Sequence, residues 1–379
     1  MPLWIVSILL HAYVGARLVP ALPGGFGPAL IFATALVVSA LAMPMSLLAR
    51  RLRTQPWSDR LAWAGALAMG LFSSLFVLTL LRDVVLLLAW IGELVVPGAG
   101  LPELAPLSAA AVVLLGAAVT VIGFINARRT AAVVAVDIPI TDLPAALHGF
   151  TIAQISDIHV GPTIKRAYMH RIVEAVNRLG ADMVAVTGDL VDGSVHELAA
   201  HVAPLASLSS RHGTFFVTGN HEYYSGAHAW VVELRRLGVQ VLMNEHVLLR
   251  HDEARLLVAG VTDYGAHHFD EGHRSDPQRS LHGAPLDAAL VKVLLAHQPR
   301  SATAASAAGF DLQLSGHTHG GQFLPWNLFV RFQQPFTSGL NRLQQLWVYT
   351  SRGTGYWGPP KRFGAPSEIT HLRLVASPG

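Results

Sequence analysis

Charge distribution, apolar run length and strand–helix alternation point to an N-terminal α-helical transmembrane region followed by a soluble α/β domain. Of the 51 Asp, Glu, Lys and Arg residues in the 379-residue chain, ten lie in the first 127 positions and 41 beyond them. The first block contains apolar runs close to the ~20 residues a spanning helix needs. In the second block, short β-like runs alternate with helical patterns, as in layered α/β domains.

In the first block the clear runs are Leu3–Val19, Ala29–Ala49 and Leu107–Asn126, with Pro and Gly filling Pro20–Pro28. The first run lacks a basic leading segment and further runs follow it, so it reads as a span and not a cleaved signal. Leu61–Val96 is too long for one upright span, and Arg82-Asp83 interrupts it. Each such charge at a helix centre costs roughly 2.5–3.5 kcal/mol, against about 0.3–0.6 gained per Leu, Ile, Val or Phe. These terms roughly cancel, which leaves one long tilted helix and two shorter segments both open. Loop charge favours four spans within residues 1–129. Arg50, Arg51, Arg53 and Arg60 follow the second run and Arg128-Arg129 the last, whereas Pro97–Pro106 has no basic residue. The positive-inside rule then places both termini, and the soluble domain, on the cytoplasmic side of the cell (inner) membrane.

Residues 130–149 read as a linker or an entering edge strand, and the soluble domain occupies 150–379. Phe150–Ile155, the valine-rich run that begins at Met183 and stops at Gly188-Asp189, Thr214–Thr218, Val239–Met243, Val247–Arg250, Leu256–Val261, Val291–Ala296, Asp311–Leu314, Leu346–Thr350 and Ile369–Val375 read as strands. Met169, Ile172, Val173, Val176 and Leu179 recur at helical spacing, and His196–Ser209 reads as a helix that Pro204 can break. This half carries 21 Lys+Arg against 20 Asp+Glu, so it lacks the basic stripe that a nucleic-acid partner requires. The chain has no cysteine and 19 histidines. Disulfides and thiolate metal sites are excluded, and imidazole and carboxylate remain as donors for a transition metal.

Those donors concentrate at strand ends. Asp157 and His159 form a D-x-H after the first strand, and Gly188-Asp189 ends the valine-rich run from Met183. Gly219-Asn220-His221-Glu222 follows the Thr214 strand, His297 ends the Val291 strand, and Gly316-His317-Thr318-His319 follows Asp311–Leu314. Singly, each is a common turn or a satisfied core histidine. Five in succession point to one site. Asp157, His159, Asp189, Asn220, His297, His317 and His319 exceed what one tetrahedral ion uses and suit two ions sharing a carboxylate. Such a pair clamps phosphoryl oxygens and activates a water.

The set D-x-H, G-D-x-x-D, G-N-H-[DE], H and G-H-x-H resembles the calcineurin-like metallophosphoesterase superfamily, from about Phe150 to the C-terminus. The resemblance implies a four-layer αββα sandwich. It further implies one divalent metal (Mn, Fe or Zn) held by Asp157, His159, Asp189 and His319, and a second by Asp189, Asn220, His297 and His317. His221 matches the family's general acid, and Asp192 the carboxylate that orients it. The extended G-H-T-H-G-G-Q, with S-R-G-T-G near Ser351, looks like the membrane-associated bacterial phosphodiesterase branch. Gly193 stands where Ser/Thr protein phosphatases have Arg, which argues against that activity.

The expectation is therefore a membrane-anchored dinuclear-metal phosphoesterase acting on phosphodiester or pyrophosphate bonds, with the lipid bilayer and a lipid-linked phosphoester as partners. A phosphomonoesterase or nuclease, or a phosphate-binding membrane sensor, are the alternatives. Trp326, Phe329, Phe332 and Phe336 with Arg331, Arg342, Lys361 and Arg362 suggest an interfacial surface as readily as a local core. His267, His268, His273 and His282 read foremost as part of a solvated loop.

Overall fold

A computed structural model describes residues 3–49, 55–95, 104–285, 287 and 290–377. The basic residues Arg50, Arg51 and Arg53, and most of Pro97–Pro106, fall outside this set. The described residues divide into two compact units, Met1–Asn126 with Gly358–Phe363, and Ala127–Trp357 with Gly364–Gly379.

The first unit is helical: α1 (Leu3–Leu18), α2 (Phe26–Ala42), the single turn α3 (Met45–Leu48), α4 (Trp57–Val95) and α5 (Leu104–Arg128). Four candidate spans result. The ambiguous run is one continuous helix of 39 residues, about 58 Å long at ~1.5 Å per residue and well beyond a ~30 Å hydrocarbon layer. Its charged pair is satisfied laterally. Arg82 donates from Nε to Ser108 Oγ at 3.0 Å and from its terminal nitrogens to the carbonyls of Arg17 and Ala105. Asp83 accepts from Tyr13 Oη at 2.7 Å and Arg17 Nε at 2.9 Å. Side-chain and backbone partners from α1 and α5 thus offset the cost of charge in an apolar helix.

Gly358–Phe363 belongs to this helical unit. Lys361 donates to Gly70 O at 2.9 Å and to Ser74 Oγ, and Arg362 N–H donates to Gly123 O at 2.8 Å. Both side chains are buried. They are not available to lipid headgroups, contrary to the expectation from sequence, because the backbone carries them between α4 and α5.

The second unit contains two six-stranded sheets. The first runs β1 (Ala132–Ile140), β12 (Glu368–Ala376), β2 (Thr151–Ile155), β3 (Met183–Val186), β4 (Thr214–Phe216) and β5 (Gln240–Val241). The second runs β10 (Gly339–Leu343), β11 (Leu346–Thr350), β9 (Leu312–Ser315), β8 (Val291–Leu295), β7 (Ala254–Gly260) and β6 (Glu245–His251). Met183, Ala185, Ile152, Val293, Leu295 and Leu314 join one core cluster between the sheets. Val184, Val186, Ala153 and Ile155, on the opposite faces of the same strands, pack with residues of α6 (Arg166–Asn177), α7 (Val195–Val202) and α9 (Ala227–Arg236). Leu294 and Ala296 pack with the helix α11 (Ala302–Ala307) side of the second sheet. Helix, sheet, sheet and helix form four layers, and strands buried on both faces account for their uninterrupted apolar runs.

Residues 130–149 resolve as the edge-strand alternative, since Ala132–Ile140 pairs in parallel with β12 along its whole length. β10 was invisible in sequence because Gly-Leu-Asn-Arg-Leu is half exposed and alternates weakly. Pro204 acts as expected: α7 ends at Val202 and a 3₁₀ turn over Ala203–Ser207 follows.

Trp230 is fully buried in α9, and its Nε1–H donates to Gly193 O at 2.9 Å. Trp230→Ala should lower the stability of this unit by about 3–5 kcal/mol, the usual cost of a large core truncation. An unchanged denaturation midpoint by circular dichroism would contradict this packing.

Candidate dinuclear metal centre

β2, β3 and β4 are adjacent and parallel in the first sheet, and β8 and β9 are adjacent and parallel in the second. Their C-terminal ends therefore release five loops, each carrying one of the sequence blocks. The turn at Gly188 (φ 86°) is specific for glycine: a Cβ there would lie 2.7 Å from Gly219 N and 2.7 Å from His297 Nδ1. The two loops approach so closely that neither tolerates a side chain.

Six of the seven residues expected from sequence fall into two clusters. Asp157, His159 and His319 place donor atoms within 4.8 Å of one another, as do Asp189, His297 and His317. Asp189 Oδ2 lies 3.2 Å from His297 Nε2 and 3.9 Å from His159 Nε2, so this carboxylate spans the two groups. Asn220 Oδ1 is buried with no hydrogen-bond partner, an orphan that a cation would satisfy. Asp157, His159, Asp189, His317 and His319 all have φ between 51° and 70°. A non-glycine residue in this region bears backbone strain, and such strain clusters where function requires a side chain to be aimed.

The surrounding partners set the imidazole tautomers. His297 Nδ1–H donates to Thr187 O at 2.7 Å, which turns Nε2 toward Asp189. His159 Nδ1–H donates to Asp192 Oδ1 at 3.0 Å, which frees its Nε2 in the same way. Outer partners of this kind commonly orient metal-ligating histidines. The donor set therefore fits a pair of divalent cations.

His221 sits beside the centre. Its Nδ1–H donates to Asp192 Oδ1 at 2.6 Å, and its Nε2 lies 4.0 Å from Asp189 Oδ2. Burial works against its protonation, but Asp192, Asp189 and Glu222 outweigh burial and raise its pKa above the ordinary imidazole value. Burial likewise favours neutral Asp192, yet His159 and His221 hold its carboxyl well below the usual range. A charged carboxylate facing a protonatable imidazole is the arrangement a general acid needs.

A family model for calcineurin-like phosphoesterases matches residues 150–321. A Bos taurus protein described as a transmembrane protein with metallophosphoesterase domain is 39% identical over 316 residues, which is 80% of this chain and 70% of its own length. An uncharacterized metallophosphoesterase of Helicobacter pylori is 40% identical over 223 residues, 58% of each protein. The chain belongs to the calcineurin-like metallophosphoesterases. Its domain is accordingly one that binds a dinuclear metal centre and hydrolyses phosphoesters, and homologues and apolar helices together indicate membrane association.

Several supports of this metallophosphoesterase site went unrecognised in the sequence. Glu222, the last residue of the G-N-H-E block, is fully buried and accepts from the backbone N–H groups of Gly219, Asp189, Leu190 and Val191 at 2.6–3.3 Å. It ties the β3 loop to the β4 loop. Burial, with the Asp189 charge adding, pushes its carboxyl up to about 8, against the pull of those N–H donors. The S-R-G-T-G segment braces the D-x-H loop, since Thr354 N–H donates to Ser156 O and Gly355 N–H to Asp157 O. Gln322, which closes G-H-T-H-G-G-Q, bonds the backbone of Trp357 through both ends of its amide. Trp357 and Tyr224 then stand edge-on to His221, with centroids 5.6 and 5.3 Å away. The motif letters are visible, but most of their partners, such as Asp189 for Glu222 and Trp357 for Gln322, lie 30 or more residues away.

Asp189→Asn should weaken both ions and abolish hydrolysis of bis-p-nitrophenyl phosphate. His221→Ala should keep the full metal content and slow turnover by roughly 10²–10⁴, the usual contribution of a positioned general acid. Elemental analysis beside the rate measurement separates the two, and equal metal loss in both variants would overturn these roles.

Proposed function

We propose that the protein hydrolyses a phosphodiester or pyrophosphate bond of a lipid-linked substrate, with its catalytic domain on the cytoplasmic side of the membrane. The observation that carries the hydrolytic part is the His221–Asp192 pair set against two groups of metal donors that share Asp189. When bound, two divalent ions (Mn, Fe or Zn) supply Lewis-acid stabilisation of the phosphoryl oxygens and a water of lowered pKa. Asp157, His159, Asp189 and His319 would hold one and Asp189, Asn220, His297 and His317 the other. The residues of the chain do the rest. The backbone N–H of His221 donates to Asp189 Oδ1 at 2.8 Å and fixes the orientation of that carboxylate. The His221 Nε2–H delivers a proton to the departing oxygen, and Asp192 stabilises the imidazolium before transfer. As water adds to phosphorus the bond from phosphorus to the leaving oxygen breaks, and that proton neutralises the oxygen as it departs. Gly193 is consistent with diesters over protein phosphates.

The lipid part rests on the segment after His319. Leu324, Trp326, Leu328, Phe329 and Phe332 are exposed, with neighbouring rings 6.1 and 6.4 Å apart, while Phe336 packs into the core. A contiguous exposed apolar patch marks an interaction surface. Arg331 lies over the Phe332 ring at 5.3 Å, and aromatic rings beside cations suit the headgroup boundary of an anionic leaflet. Four spans exceed what tethering needs, which also favours a substrate that resides in the bilayer.

Trp326→Ser combined with Phe329→Ser should impair hydrolysis of a phosphodiester lipid in vesicles and spare a small soluble diester. Equal loss on both substrates would remove the lipid assignment and leave the hydrolase intact. Reporter fusions after Arg129 should give cytoplasmic signals, and an external signal would reverse the sidedness.

A further inference from the structure

We propose that His228, Asp270 and His273 form a third transition-metal site, separate from the dinuclear centre and suited to a zinc ion. His228 lies in the first turn of α9, and Asp270 caps the 3₁₀ turn Glu271–His273. His228 Nε2 is 3.2 Å from Asp270 Oδ2, His273 Nε2 is 3.8 Å from the same oxygen, and the three donors lie within 4.8 Å of one another. Ligands at ~2.0–2.2 Å around a tetrahedral zinc stand about 3.3–3.5 Å apart, so small side-chain adjustments close the site.

The other polar atom of two of these ligands is already engaged. Asp270 Oδ1 accepts the Gly272 N–H at 2.9 Å, which leaves Oδ2 for the site. His273 Nδ1 lies 3.0 Å from the Oη of Tyr223, a buried side chain that fixes the ring and leaves Nε2 directed at Asp270. This is the outer-partner pattern that orients metal-ligating histidines. His228 remains solvent-facing, with a side chain 74% exposed, so the ion would have an entry path and a position open to water.

The ion would pin the 266–273 segment to the start of α9. That segment carries Phe269, whose ring lies 5.5 Å from Tyr224, the residue edge-on to His221. The site therefore acts as a clamp on one aromatic wall of the catalytic mouth. Of the loop histidines noted in sequence, His273 is the one this assigns; His228, across from it, came from a different stretch.

The test counts zinc. Full-length protein in detergent is stripped with chelator, reloaded with saturating zinc, desalted and analysed for metal per chain. His228→Ala and Asp270→Ala should each retain one zinc ion per chain fewer than wild type, while Asp189→Asn keeps the ion that these two lose. Zinc should also slow hydrogen exchange across 266–273 in wild type and not in His228→Ala. The proposal is overturned if wild type and His228→Ala hold the same amount of zinc and show the same exchange.

Discussion

The Asp189 carboxylate is the constraint on which the rest of the catalytic unit depends. It must face imidazoles from both sheets at once, and it can do so only if the ends of β3, β4 and β8 meet closely. Each neighbouring feature serves that approach. Gly188 and Gly219 remove side chains from the contact, Glu222 ties the two loops through four backbone donors, and His221 N–H fixes the second carboxylate oxygen. The left-handed conformations of five candidate ligands are the local cost of that aim. They persist because the layered core beneath them over-determines the loops.

Asp192 extends the same logic outward. One of its oxygens accepts from both His159 and His221. A single carboxylate thereby orients two imidazoles, those of His159 and His221, on neighbouring loops. The sequence pattern G-D-x-x-D places Asp189 and Asp192 one short turn apart, which is what this double duty requires.

In the helical unit the corresponding problem is polar groups among apolar helices. Arg82, Asp83, Arg17 and Tyr13 solve it as a group, and Lys361 does so through a carbonyl and hydroxyls of the helices around it. Both arrangements bring together residues distant in the chain, and both make the helices specific to one another beyond generic apolar packing. The Gly358–Phe363 segment, remote from the helices in sequence, is an integral part of that unit.

Legible in the chain alone were the two-part organisation, four apolar helices, most strands of the α/β unit and the blocks whose His and Asp side chains cluster at the strand ends. These follow from local rules: apolar length, uninterrupted apolar runs for strands buried on both faces, and donor residues placed immediately after strands. Only the tertiary structure decided the path of β10, the burial of Lys361 and Arg362, the exposure of Trp326, Phe329 and Phe332, and the functions of Glu222, Gln322 and the S-R-G-T-G segment. It also brought His228 to Asp270 and His273. Apart from β10, a local hairpin strand hidden by its half-exposed residues, each of these is set by a partner 30 or more residues away or by which face of a turn meets solvent, and neither quantity is encoded in the spacing of neighbouring residues.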